Sequence, residues 1–326
     1  MPPARSNRTN RNRGGGSRPS QAARSGSRPN RPGPSRSAAP RPTPVETIPP
    51  PSTSADKWDD ARRSNQRRAL ALTFLPAVLV AAVFIALGFV GHLLVVAIAI
   101  AVLALVAGGV AYVVAPRALL GRLGAVTADH LEEARLYNIL EGLCLAWGLP
   151  QPELRLLADD APNAISLGRG PDDAVVVCTT GLIASLDRIE LEAVLGHELA
   201  HVRSLDILSG TVAAGTLGYL ALISASARRG LIRRSGAGRE SLADQASTTL
   251  TRYPPAMISA LEKLAAAPSC RPASLTSSVA IRSGHMWLVP LDPDGSAVDS
   301  GVAAGDVKPV IGALTLEERI ALLREL

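Results

Sequence analysis

At 326 residues, 47% of them apolar and 3% aromatic, the chain has room for one or two domains and for a core that can stand alone. Its formal charge of +6 is unevenly spread: residues 1–50 hold ten Arg, no Lys and one acid, Glu46, so residues 51–326 sum to −3. A slightly acidic body argues against a nucleic-acid partner, because phosphate contacts need a basic face. Three separated cysteines, Cys144, Cys178 and Cys270, form no CxxC pair and indicate neither a disulfide framework nor a thiolate metal site.

Residues 1–68 are dominated by Arg, Pro, Ser and Gly, with Trp58 the one aromatic residue. Such a segment buries too little apolar surface to offset the entropy of ordering and reads as a disordered tail. Its Pro and Gly also spoil the amphipathic helix of a transit peptide. From Ala69 to Pro116, 48 residues pass without Asp, Glu, Lys or Arg. That is enough for two spans of about 20 residues each, with helices near 70–90 and 93–115 and a turn at Gly91-His92. Arg62, Arg63, Arg67 and Arg68 precede this hairpin, and Arg117 and Arg122 follow it. Flanks of this sign belong on the cytoplasmic side of a cell's inner membrane. The chain is therefore expected to be multi-pass, with tail and body (117–326) both cytoplasmic and the bilayer as a partner.

Within the body, Ala128–Trp147 has helical periodicity and stops at Gly148-Leu149-Pro150. Short apolar runs at Glu153–Leu157, Asn163–Leu167 and Ala174–Cys178 read as strands of a small sheet. Asp187 is placed to cap the helix that follows. A further apolar stretch, Ile207–Ala227, could cross a bilayer once by length. Its Ser209, Thr211, Thr216, Ser224 and Ser226 suit a packed helix with room to touch the bilayer, and Arg228, Arg229, Arg233 and Arg234 begin a flexible segment.

The densest chemistry is His197-Glu198-Leu199-Ala200-His201, an HExxH motif. Positions i and i+4 share a helical face, so both imidazoles reach one zinc ion with the Glu beside them. A catalytic zinc wants three protein ligands and an open position for water. Glu240, four residues before Asp244, is the candidate third ligand, and Asp244 can accept a hydrogen bond from the far nitrogen of a ligand His. One zinc per chain is expected, with Glu198 as general base. If the ligands share one ion they share one side of the membrane, so Ile207–Ala227 cannot cross singly. Among the other histidines, His92 reads as a turn residue, His130 as solvated, and His285 as a possible lining of the cleft.

From about Leu131 onward the chain resembles the HtpX-like branch of membrane zinc metallopeptidases, relatives of the CAAX prenyl proteases. The matching pieces run in order: Leu136-Tyr137-Asn138-Ile139, Pro162-Asn163-Ala164, Thr179-Thr180-Gly181-Leu182, Glu192–Gly196 into HELAH, Asp206-Ile207-Leu208, Glu240…Ala243-Asp244 and Leu261-Glu262-Lys263-Leu264. The resemblance implies an α+β, mostly helical zincin-like (gluzincin) catalytic domain with a small β-sheet behind the transmembrane hairpin. It implies a metalloendopeptidase that cuts misfolded or regulatory membrane proteins. His197, His201 and Glu240 map to the family's zinc ligands and Glu198 to its base. Asn163 would open an edge strand beside the cleft, where an extended polypeptide could pair. Two departures stand out: Gly312-Ala313-Leu314-Thr315 replaces the family's Thr-His-Pro, and the apolar region after HELAH is a single stretch.

Two other readings remain. A site-2-type intramembrane protease would use an Asp from Pro290–Gly295 as third ligand, Asp294 for instance. Yet Glu190, Glu192, Arg203 and Asp206 flank HELAH, which suits no spanning helix. A non-catalytic pseudo-peptidase adaptor would recruit partners through the Arg/Pro tail.

Overall fold

The computed structural model describes residues 54–90, 94–215, 222, 224, 237–291 and 314–326. The tail up to residue 53, the Gly91-His92 turn, most of the stretch from 216 through Arg228–Arg234, Asp294 and Gly312-Ala313 lie outside the described residues. In chain order the helices are α1 (Ser54–Val90), α2 (Leu94–Leu123), α3 (Ala134–Trp147), α4 (Thr180–Ser185) and α5 (Arg188–Arg203). They continue with α6 (Asp206–Gly215), α7 (Ala237–Thr251), α8 (Pro254–Ala266), α9 (Ser277–Ser283) and α10 (Leu316–Arg324). The strands are β1 (Val126–Thr127), β2 (Glu153–Leu157), β3 (Ala164–Leu167) and β4 (Val175–Thr179).

Both apolar helices outrun the limits expected for them. α1 begins inside the stretch read as tail, because its first turns dock on the body. Trp58 meets Trp147 edge-on with ring centroids 6.1 Å apart. Arg203 lies over both rings, at 4.7 and 5.2 Å, and Asn65 Nδ2 donates to the Ser204 carbonyl at 3.0 Å. These partners are distant in sequence, so tail composition could not announce them. α2 continues past Pro116 because Leu119 and Leu123 are buried beneath the sheet. Its halves, Leu94–Val110 and Tyr112–Leu123, meet at 50°, where Gly108-Gly109 and Pro116 weaken the helical ladder.

Trp58–Leu87 is long and apolar enough to cross a membrane; α2 meets the same test only as a bent pair. Leu75, Leu79, Val83 and Leu87 on α1 and Val95, Val102 and Leu103 on α2 are exposed, a larger apolar surface than water tolerates.

The sheet has the order β1-β2-β4-β3, with β2 and β4 parallel and the outer pairs antiparallel. The three strands read from apolar runs form within a residue of their expected limits; β1, two residues long, is too short to show a period. Every residue of β3 and β4 is buried, which is why these strands read as unbroken apolar runs. Leu154, Ala164, Val176 and Cys178 face α3, α5, α8 and α10 in the main core. Leu157, Ile165, Leu167, Val175 and Val177 face Leu119 and Leu123 of α2, Val279 and Ala280 of α9, and Trp287. The sheet thus holds the HELAH helix on one face and the end of α2 on the other.

α3 starts six residues later than its periodicity suggests, since Asp129 Oδ1 accepts from the Leu131 and Glu132 amides and holds a turn there. It ends as expected at Gly148, whose φ of 65° is the left-handed cap that glycine allows. Asp187 caps α5 through the Ile189 and Glu190 amides, and Glu190 returns a bond to the Asp187 amide.

Candidate metal centre

Helix α5 carries His197 and His201 one turn apart, and α7 packs alongside. Gly196 allows that approach: a Cβ there would lie 2.8 Å from Ser247 Oγ, whose hydroxyl donates to the Ala193 carbonyl. α7 thereby brings Glu240 to the imidazoles. His197 Nε2 lies 3.2 Å from Glu240 Oε2, His201 Nε2 lies 3.7 Å from Glu240 Oε1, and the two Nε2 atoms are 3.1 Å apart. Tetrahedral zinc with bonds of about 2.0–2.1 Å spaces its ligand atoms about 3.3 Å apart, so one ion fits this triangle.

The hydrogen bonds behind the ligands fix their direction. His197 Nδ1 is 2.7 Å from Asp244 Oδ1, and His201 Nδ1 is 2.9 Å from Asp206 Oδ2. An ionised carboxylate only accepts, so each Nδ1 carries a proton and donates it. In the neutral imidazoles each Nε2 lone pair then turns inward, towards the other and towards Glu240 Oε2, which in that state accepts no hydrogen bond. Three acceptors facing one another repel unless a metal ion, or a proton on His197 Nε2 in its absence, sits among them.

Charge bookkeeping gives the same answer. With both imidazoles neutral, as metal ligation requires, the formal charges of Glu198, Asp206, Glu240 and Asp244 against Arg239 and Arg319, among the described residues around the triangle, sum to −2, which one divalent ion neutralises.

Asp206, Glu240 and Asp244 are each held in the ionised form against burial. Burial would raise Glu240, but His201, His197 and Arg239 hold it well below the usual carboxylate range. Burial likewise opposes ionisation of Asp206, yet the Arg239 charge and the His201 hydrogen bond bring it down to about 2. Asp244 is lowered too, its burial outweighed by Arg319 and His197. His197 moves the other way. Burial alone would depress it, but hydrogen bonds and charges from Asp244 and Glu240 push it up to about 9.

Glu198 is fully buried between the ligands' helix and β3. Ser166 Oγ donates to Glu198 Oε2 at 2.6 Å, whereas Oε1 is buried without a partner. One oxygen is therefore anchored and the other is available to a water.

Of the residues singled out from sequence, His197, Glu198, His201, Glu240 and Asp244 converge here. Asn163 and His285 do not present side chains to an open cleft. Asn163 is fully buried, its Nδ2 donating to the Cys270 and Val289 carbonyls at 2.8 and 3.0 Å and its Oδ1 accepting from the Val289 amide at 3.0 Å. β3 is indeed the last strand of the sheet, but Trp287 bridges Ile165 and the Leu288 amide donates to the Ala164 carbonyl at 2.9 Å. The expected place for strand addition beside Asn163 is thus paired by the chain itself. His285 is 3% exposed, and burial with the nearby Arg239 charge pulls it down to about 4, so its imidazole is neutral.

Sequence reading missed Ser166, Asp206, Arg239 and Arg319. Ser166 left a signal, being the polar residue on the α5 side of a buried strand. Asp206 depends on a corner between α5 and α6, where Leu205 takes a φ of 58° and turns the chain back on His201. Arg319 reaches in from α10, donating through Nε and Nη2 to both Asp244 oxygens at 2.7 Å and through Nη1 to the Leu288 carbonyl at 2.7 Å.

Comparison with known proteins agrees with this geometry. Residues 130–278 match the model of peptidase family M48. Proteins named "Protease HtpX homolog" match from Tropheryma whipplei, 35% identical over 51% of this chain and 66% of the relative, and from Thermococcus kodakarensis, 33% identical over 55% and 72%. Another, from Acidiphilium cryptum, is 41% identical over 44% of this chain and 50% of the relative. The chain spans between about half and two thirds of the length of the first curated relatives it matches. No solved structure matches it. With the HELAH–Glu240 centre in place and the matched segment enclosing it, the chain belongs to the HtpX-like branch of peptidase family M48.

Proposed function

We propose that the chain is a membrane-anchored zinc endopeptidase in which His197, His201 and Glu240 hold the metal and Glu198 is the general base. The observation that carries this reading is the inward convergence of two Nε2 lone pairs and a carboxylate on one point, beside a buried Glu with one unpartnered oxygen. A zinc ion bound there supplies Lewis acidity, polarising a peptide carbonyl and lowering the pKa of water. Glu198, anchored by Ser166, takes a proton from the attacking water and delivers it to the amide nitrogen as the C–N bond breaks. Asp244 and Asp206 keep the imidazoles aimed, and the buried surroundings strengthen every charge interaction.

α1 and α2 are proposed to span the bilayer, with Arg62, Arg63, Arg67, Arg68, Arg117 and Arg122 keeping both flanks, and the catalytic body, in the cytoplasm. Misfolded or regulatory membrane proteins are the proposed substrates, in line with the relatives' description as proteases. The intramembrane alternative loses its motive once Glu240 reaches both histidines, and Glu240→Ala against Asp294→Ala separates the two. Against the adaptor reading, Glu198→Gln is the test on the purified full chain with an unfolded membrane-protein substrate. Turnover should fall about 10²- to 10⁴-fold while bound zinc is retained, and a chelator should abolish the residual cleavage. Unchanged turnover in Glu198→Gln would refute the mechanism.

A further inference from the structure

Glu240 enters the site from the first turn of α7, where a helix has the fewest backbone hydrogen bonds of its own. Its exposed neighbours, Gly238 and Leu242, offer little hold, and Arg319, 3.7 Å from Glu240 Oε2, grips Asp244 a full turn further on. What fastens this turn is Arg239, whose side chain is 7% exposed. Its Nε donates to Asp206 Oδ2 at the start of α6 and lies 3.7 Å from Glu240 Oε1. Its Nη1 donates to the His285 carbonyl at 2.8 Å, in the turn Gly284–Met286. One guanidinium thus ties together the corner after HELAH, the turn after α9 and the helix that delivers the third ligand.

Resting on the zinc reading above, we infer that Arg239 is a positioning residue for metal binding. It locks the first turn of α7 onto the α5–α6 corner so that Glu240 reaches both imidazoles, and it holds Asp206 against His201 Nδ1. The fork geometry matters: Nε and Nη1 are separate donors at a fixed angle for the carboxylate and the carbonyl, whereas a lysine's donors share one rotating nitrogen and fix neither direction. His285, expected to act through its imidazole, instead contributes its backbone carbonyl to this clamp.

The test is the zinc dissociation constant of the full chain in detergent, measured by competition with a chromogenic chelator, beside the thermal midpoint of the chelated protein. Arg239→Met should weaken zinc binding about 10- to 100-fold, the usual effect of losing an outer partner of a ligand, and Arg239→Lys should recover part of it. Removing the guanidinium strands a buried Asp206 charge, so the pair Asp206→Asn/Arg239→Met provides a variant without that charge that still accepts from His201 Nδ1. The pair should bind zinc more weakly than Asp206→Asn alone, because α7 has also lost its anchor. Lys263→Met is the control: Lys263 pairs with the buried Glu190 carboxylate in the first turn of α5, seven residues before His197, so its loss should lower the thermal midpoint and leave zinc affinity unchanged. Zinc affinity at the wild-type level in folded Arg239→Met, or at the Asp206→Asn level in the pair, would overturn the inference alone. A wild-type chain that binds no zinc would overturn the metal reading and this inference with it.

Discussion

On the His197 side, Asp244 follows Glu240 by one turn of α7 and is gripped through both oxygens by Arg319, acid and base each having side chains 1% exposed. On the His201 side, Asp206 lies only five residues beyond its histidine, across a left-handed Leu205, and takes a single donor from Arg239. The chemistry of the two arms is the same, a histidine backed by a carboxylate backed by an arginine, but the construction differs. The first is sealed in the main core, where α10 closes over α7. The second is assembled at a junction of α6, α7 and the Gly284–Met286 turn, with Asp206 and Arg239 side chains 11% and 7% exposed. The contrast suggests that both arms govern how tightly metal is held, while the sealed arm also secures the fold.

Three measurements break or sharpen that contrast. The largest effect is expected from Arg319→Met, which leaves Asp244 ionised, buried and unpaired. Losing one partner of such a pair costs about 3–5 kcal/mol, so the thermal or denaturant midpoint should collapse even with zinc present. A variant of wild-type stability would show that the sealed arm is not the keystone assumed here.

Next come Asp244→Asn and Asp206→Asn. Both should weaken zinc about 10- to 100-fold, read by chelator competition. Only Asp244→Asn should also lower the midpoint of the chelated protein strongly, because it strands Arg319. Equal destabilisation by the two would erase the distinction between the arms.

The smallest effect is a pH signature of the His197 arm. In the chelated protein His197 is raised from 6.5 to about 9 by Asp244 and Glu240 against its burial. A raised pKa contributes stability that is fully present below about 6.5 and lost as pH rises through about 9. The midpoint of the chelated protein should therefore fall across that window. Zinc displaces the same proton, so zinc affinity should climb as pH rises towards 9. Asp244→Asn should flatten both trends, and persistence of the full pH slope in that variant would contradict the assignment.

Much of the site could be read from the chain, because local spacing carries it. HELAH sits on a helix whose cap, Asp187, precedes it immediately, and Glu240 and Asp244 share a face of α7 through their separation of four. The apolar runs of β3 and β4 showed the sheet because both strands are fully buried, Ser166 being the polar exception in β3, and β2 showed itself by its buried Leu154 and Leu157. What could not be read depends on partners far along the chain. A lone arginine such as Arg239 or Arg319 looks solvated until Asp206 or Asp244 is brought beside it. The first turns of α1 look like tail until Trp58 finds Trp147 and Arg203. Asn163 drew attention as a substrate contact, but its amide matches three backbone groups at Cys270 and Val289, a pairing visible only once those segments are folded together.

The most direct test of the metal centre is zinc K-edge X-ray absorption on the purified full chain, with Glu240→Ala alongside. The expected result is one zinc per chain bound by two imidazole nitrogens and oxygen donors, with the zinc lost or greatly depleted in Glu240→Ala. A sulfur ligand, or an unaltered zinc environment in Glu240→Ala, would contradict the proposed site.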